Sequence, residues 1–255
     1  MEQIVDKETV VSYYDEHVKF KVNDYIVVNP RIEGAWQTLI NNVKFTPARI
    51  LEVGCGIGSI CNKMHKRWPN AKITGIDIST QSIAIATKLF ANDKVNFIET
   101  LLTPETFNEQ FDLIIFMDVY EHIAVEDRPT VHAAIKKLLR NKSRLFLSVP
   151  TPQNLKWCLV HRPETMQPVD EHITFEVVGK LAQDTQTEVQ LYDLKAIWRP
   201  ADYAHIVFER NADFTEAFNH PKPVTTMQRA QRVLGKLKNK LTKPLRNAYV
   251  RSKLK

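Results

Sequence analysis

The stretch Ile50-Leu51-Glu52-Val53-Gly54-Cys55-Gly56-Ile57-Gly58 decides the fold. A strand-length apolar run passes directly into a segment holding three of the chain's seven glycines. Glycine makes up ~7% of an average protein, so a cluster in a glycine-poor chain asks for a local cause. A strand-to-helix turn supplies one, because backbone without Cβ can take positive φ and lie directly against a ligand. In an open α/β sheet that turn sits at the carboxyl end of the first strand, where ligands bind at the topological switch point. The alternative is a tight turn with no ligand.

The surroundings of the glycines select the ligand. A dinucleotide fingerprint, G-x-G-x-x-G, would place its third glycine at position 59, which is Ser59. Here the third glycine comes one residue earlier, and Glu52 precedes the turn. A carboxylate there repels a pyrophosphate and attracts a cationic ligand. S-adenosylmethionine, with a sulfonium, an ammonium and no phosphate, is the expected cofactor. The run Ile73–Ile76 ends at Asp77, 21 residues after Gly56. That is near the ~20-residue spacing at which an acid reaches ribose hydroxyls.

Outward from the turn, Ile50–Val53, Ile73–Ile76, Val95–Ile98, Leu113–Met117 and Leu145–Val149 read as strands buried on both faces. Helices are expected at about 58–68, 79–91 and 126–140, where apolar residues such as Ile60, Met64 and Trp68 recur every four positions. The alternation implies βαβ units and a parallel sheet. Residues 1–45 read as helical with a break around Asn29-Pro30. After Pro150, residues 153–172 read as irregular and 173–183 as a helix. Glu188–Trp198 and Tyr203–Glu209 follow as an antiparallel pair of strands.

ILEVGCGIGSI, ITGIDIS, FDLIIFMDVYEHI and RLFLSVP together resemble the four central segments of the class I S-adenosylmethionine-dependent methyltransferase superfamily. The resemblance covers about residues 45–210. It implies an α/β, Rossmann-like three-layer sandwich with a mostly parallel seven-stranded sheet and an antiparallel last strand. The expected parts are an N-terminal helical lid (1–45), the cofactor-binding domain (46–210) and a tail (211–255). By the same resemblance, Glu52, Gly54, Cys55, Gly56 and Gly58 lie along the methionine part of the cofactor. Asp77 holds the ribose, while Met117 and Asp118 border the sulfonium. Leu101 stands where many members carry an adenine-binding Asp, which leaves adenine to backbone contacts and Ile78. Tyr13, Tyr14 and His17 are candidates for the lid.

Asp118-Val119-Tyr120-Glu121-His122 stands where the acceptor should meet the methyl group. A hydroxyl attacks poorly until a base takes its proton, and His122, beside Glu121, has the right ordinary pKa. The acid-x-x-Glu-His pattern also resembles metal-assisted O-methyltransferases. Asp118, Glu121, His122 and His172 are therefore candidate ligands for a divalent metal, although no metal is the expected state. The bland readings are a helix-start cap for Glu121 and a surface histidine for His172.

The net charge of +6 hides two parts. No Asp or Glu follows Glu216, while residues 217–255 hold 11 Lys and Arg, leaving residues 1–216 at −5. From Met227 the tail spaces Ala230, Leu234, Leu237 and Leu241 like a helix face among basic residues, with a break at Pro244. Such a segment suits an anionic membrane surface. Nucleic acid is disfavoured, because Tyr249 alone offers no stacking platform. Cys55, Cys61 and Cys158 read as free thiols, and Met1–His17 lacks a basic or apolar signal segment, so a cytoplasmic protein is expected, at most peripheral to a membrane. The expected activity is methyl transfer to an oxygen of a small-molecule, glycan or lipid-linked acceptor. Alternatives are a quinone-type phenol, RNA or protein, and a non-catalytic cofactor-binding partner subunit. The absence of a D/N-P-P-Y/F segment after the fourth strand disfavours nucleobase methylation.

Overall fold

A computed structural model describes residues 7–210 and, beyond them, Pro244 alone. The expected basic amphipathic tail thus lies outside the described residues. Three helices come first: α1 (Lys7–Glu16), α2 (Val18–Val27) and α3 (Pro30–Asn42). There follow β1 (Arg49–Val53), α4 (Ser59–Arg67), β2 (Lys72–Asp77), α5 (Thr80–Phe90), β3 (Val95–Glu99) and β4 (Phe111–Met117). Then come α6 (Arg128–Leu138), β5 (Leu139–Pro150), α7 (Pro152–His161), α8 (Phe175–Thr185), β6 (Thr187–Lys195) and β7 (Tyr203–Arg210).

The seven strands form one sheet in the order β3-β2-β1-β4-β5-β7-β6. β1 to β5 are parallel, and β7 runs antiparallel between β5 and β6. Val53 pairs with both Ile76 and Phe116, so β1, β2 and β4 end level at the carboxyl edge. The chain leaves β1 for β2 on one side and later returns as β4 on the other, which makes the end of β1 the switch point where a crevice opens.

Period-two alternation divides the core. Leu51, Val53, Ile114 and Phe116 face α6 and α8, where Ile135, Leu138, Val178 and Leu181 are buried. Ile50, Leu113 and Ile115 face α3, α4 and α5, where Leu39, Ile60, Met64 and Ala86 are buried. Strands buried on both faces can afford no alternation of polar residues, which is why they read as continuous apolar runs.

Two differences from the sequence reading are informative. The stretch expected to be irregular, 153–172, contains α7. Its cap was legible, since the Thr151 hydroxyl accepts from the Asn154 N–H and Pro152 opens the helix. Its periodicity was not, because only Asn154 and Leu155 are buried. The N-terminal helical region breaks at His17 as well as at Asn29-Pro30. The second break is sharp: Val28 takes φ 59°, and the Asn29 side chain caps α3 by accepting from the Arg31 N–H.

Candidate active site

A cavity of about 1100 Å³ opens at the carboxyl edge of the sheet, over the ends of β1, β2 and β4. The turn after β1 forms one wall. Gly54, Gly56 and Gly58 all have positive φ, at 68°, 52° and 79°. Two of them are fixed by packing. A Cβ on Gly54 would sit 2.3 Å from a methyl of Val119, and one on Gly58 would sit 2.6 Å from the Phe97 ring. Gly54, Cys55 and Gly56 line the cavity, whereas Gly58 stands behind its wall at the start of α4.

Asp77 ends β2 and holds the turn in shape. One carboxylate oxygen accepts from the Gly56 N–H at 2.7 Å and the other from the Ser79 N–H at 2.9 Å. Each oxygen can accept a second bond, so the carboxylate can serve turn and ligand together. Ile78 and Leu101 line the same side, with Leu101 half exposed. Glu52 is buried behind the turn and accepts from the Cys61 thiol at 2.9 Å. Burial lifts its carboxyl to about 8, with the Cys61 hydrogen bonds pulling the other way.

Met117 and Asp118 border the cavity at the end of β4. Asp118 takes φ 57°, a left-handed conformation that Asp tolerates better than most residues. Its carboxylate lies 3.1 Å from Nε of Arg31, whose guanidinium also donates to the Tyr203 hydroxyl at 3.2 Å. Desolvation alone would lower the Arg31 guanidinium, but Asp118 and Tyr203 outweigh it and raise it further. Arg31 and Tyr203 were not singled out in the sequence. They come from α3 and β7, and neither a motif nor a spacing links positions so far apart.

The following turn, Tyr120–His122, is a single 3-10 turn. His122 lines the cavity, while Glu121 is buried beneath it with one carboxylate oxygen unpartnered among the described residues. Nδ1 of His122 donates to the Val169 carbonyl at 2.7 Å and lies 3.2 Å from the Asp170 carboxylate. Two acceptors at Nδ1 fix the proton there, and Nε2 lies 3.8 Å from a Glu121 carboxylate oxygen. Burial alone would lower the imidazolium, but Glu121, Asp170 and the Val169 carbonyl outweigh it and hold it at about 8. Burial also raises Glu121, to about 7. Asp170 is itself held by the Gln167 N–H at 2.6 Å.

The four metal candidates do not converge. The backbone N–H of Glu171 donates to the Glu121 carbonyl, so the second Glu-His does return to the first, yet His172 is exposed. Asp118 is taken up by Arg31 and Nδ1 of His122 by Val169 and Asp170. Among the described residues no three of His, Cys, Asp and Glu gather as a metal set. Of the lid candidates, Tyr14 lines the cavity with its ring 6.3 Å from that of His122, and Lys21 lies over it at 5.1 Å. Tyr13 stacks on His17, and neither lines the cavity. Asp15 tethers α1 to the start of α5 by accepting from the Ser79 hydroxyl and the Gln81 N–H.

Comparison with known proteins agrees with this geometry. Residues 50–142 match the family described as "Methyltransferase domain". The chain is 33% identical over 123 residues to the malonyl-[acyl-carrier protein] O-methyltransferase of Priestia megaterium, covering 46% of this chain and 43% of that one. It is 30% identical over 128 residues to the ubiquinone biosynthesis O-methyltransferase of Pasteurella multocida, covering 45% and 51%. The chain thus spans about half the length of these relatives. The crystal structure of magnesium protoporphyrin IX methyltransferase from Synechocystis, solved with bound SAH, superposes with a TM-score of 0.60 at 18% identity, covering 81% of this chain and all of that one. Residues 50–142 thus carry a methyltransferase domain, and the seven-stranded sheet with its glycine turn closed by Asp77 has the class I S-adenosylmethionine-dependent methyltransferase fold.

Proposed function

We propose that the chain binds S-adenosylmethionine in the cavity and directs its methyl group to a hydroxyl oxygen of a small-molecule, glycan or lipid-linked acceptor. The cofactor, when bound, supplies an electrophilic methyl on a sulfonium that leaves as a neutral thioether. The residues present fit it. Bare backbone at Gly54 and Gly56 admits close approach, Glu52 offers a carboxylate to the ammonium, and Asp77 retains acceptor capacity for ribose hydroxyls. Lys21, which lines the cavity next to Gly56, suits the methionine carboxylate.

One observation supports oxygen as the acceptor atom: His122 is built as a base. Its Nδ1–H is anchored by Val169 and Asp170, so Nε2 can take the hydroxyl proton as the oxygen attacks. A pKa near the working pH suits that task. At the reacting centre itself Arg31 is already matched by Asp118, which favours an uncharged acceptor group at that point. The relatives named for malonyl and ubiquinone acceptors lend weight to oxygen transfer only in general.

The test is calorimetric titration with S-adenosylmethionine and, in parallel, NADH. Selective binding of the methyl donor is expected, followed by turnover of labelled donor on a panel of phenols and sugar alcohols. Asp77→Asn is the informative control, because Asp77→Ala would also release the Gly56 and Ser79 N–H groups. Preference for NADH would overturn the reading.

A further inference from the structure

The cavity is larger than the ~300–1,000 Å³ of a pocket for one drug-sized ligand. Part of it runs away from the reacting centre. Ser59, Asn62, Lys63 and Lys66 of α4 all line it, and their spacing of three, four and seven places them on one helix face. From Ser59 to Lys66 that face is ~10 Å long at 1.5 Å per residue. The end of α2 and the first turn of α3 add apolar Ile26, Val28 and Ile32 to the lining, interspersed with polar Asp24, Asn29, Arg31 and Glu33.

Two of these apolar side chains have no cover among the described residues. Ile26 is 69% exposed and Val28 60%. Large apolar side chains left in water at a cavity lip mark a binding surface. The first turn of α3 joins the two regions. Arg31 reaches Asp118 at the reacting centre, while Glu33, two residues on, pairs with Lys63 of α4. At the far end Lys66 is exposed without an ion-pair partner among the described residues.

From this continuity we infer that the acceptor carries an apolar arm of about 10 Å, laid between α4 and the α2–α3 turn, with an anionic group at its far end beside Lys66. The inference rests on the methyl-transfer reading above and narrows its acceptor class. A hydroxylated head is held at Arg31, Asp118 and His122, and the chain leaves past Ile32 and Val28.

The probes are butanoate, hexanoate and octanoate, titrated into the full chain by calorimetry below their micellar concentrations. Affinity is expected to rise with length, by up to roughly fourfold per added methylene. The double variant Ile26→Ser/Val28→Ser should flatten that dependence. Lys66→Glu should weaken every member by a similar factor and leave the dependence on length. Thermal melting reports that each variant is folded. Absence of binding by all three carboxylates, affinity indifferent to length, or a length dependence that survives in the folded double variant would overturn the inference. S-adenosylhomocysteine, titrated into the wild-type chain, reports on the cofactor reading separately. A chain that binds the carboxylates but not this compound keeps its arm and loses its proposed reaction.

Discussion

Glu52 and His122 both hold a proton at pH 7, and the proposed reaction has to move each of them. For Glu52 the raised value means that the folded, cofactor-free chain favours the protonated form. Its stabilising contribution is full below the ordinary carboxylate range near 4.5 and is lost as pH rises through about 8. Glu52→Gln should therefore flatten the fall in melting temperature of the cofactor-free chain between about pH 4.5 and 8, while weakening S-adenosylmethionine at least tenfold. An unchanged melting profile would show that Glu52 is not the titrating group. For His122, kcat/KM should climb with pH and level off above about 8. Because Asp170 helps to raise that imidazolium, Asp170→Asn should shift the rise to lower pH. His122→Asn should cost on the order of 10²–10⁴ in kcat. Glu52, Asp77 and His122 were legible because each stands within a contiguous motif. Asp170 was not: it reaches the site only because Glu171 pairs with the backbone of Glu121.

At the scale of elements, the helices are held by caps that can be tested one at a time. Removing the Thr151 hydroxyl from α7, or the Thr174 hydroxyl from α8, should cost about 1 kcal/mol each in denaturant unfolding. Gly58→Ala should cost more, because it combines positive φ at the start of α4 with a Cβ pressed into Phe97. Phe97→Leu in that background should recover part of the loss, and no recovery would mean that backbone strain alone is responsible. The central strands β1 and β4 were readable from sequence because burial on both faces leaves them mostly apolar, and the turn after β1 because glycine is rare elsewhere. α2 was harder to resolve. Its exposed Phe20, Ile26 and Val27 break the amphipathic pattern that a helix packed only on its own domain would show.

Across the whole molecule, the site is assembled from both ends of the described chain. Arg31 of α3 meets Tyr203 of β7, and Thr38 meets His205 of the same strand at 2.8 Å. His205 is fully buried, and desolvation lowers its imidazolium to about 4. Its contribution to stability is present above its ordinary pKa near 6.5 and is lost as pH falls through about 4. The wild-type chain should thus lose melting temperature on acidification over that window, and His205→Gln should blunt the loss. These long-range pairs were invisible in the sequence, where nothing couples residues on α3 to residues on the penultimate strand of the sheet. They also bear on how the protein is made. Since β7 lies between β5 and β6, the sheet cannot close in the order in which its strands leave the ribosome. The N-terminal helices are synthesised first, yet Arg31 acquires its tyrosine partner only after residue 203 has emerged. A nascent chain halted before that point would carry every glycine of the turn and no finished site.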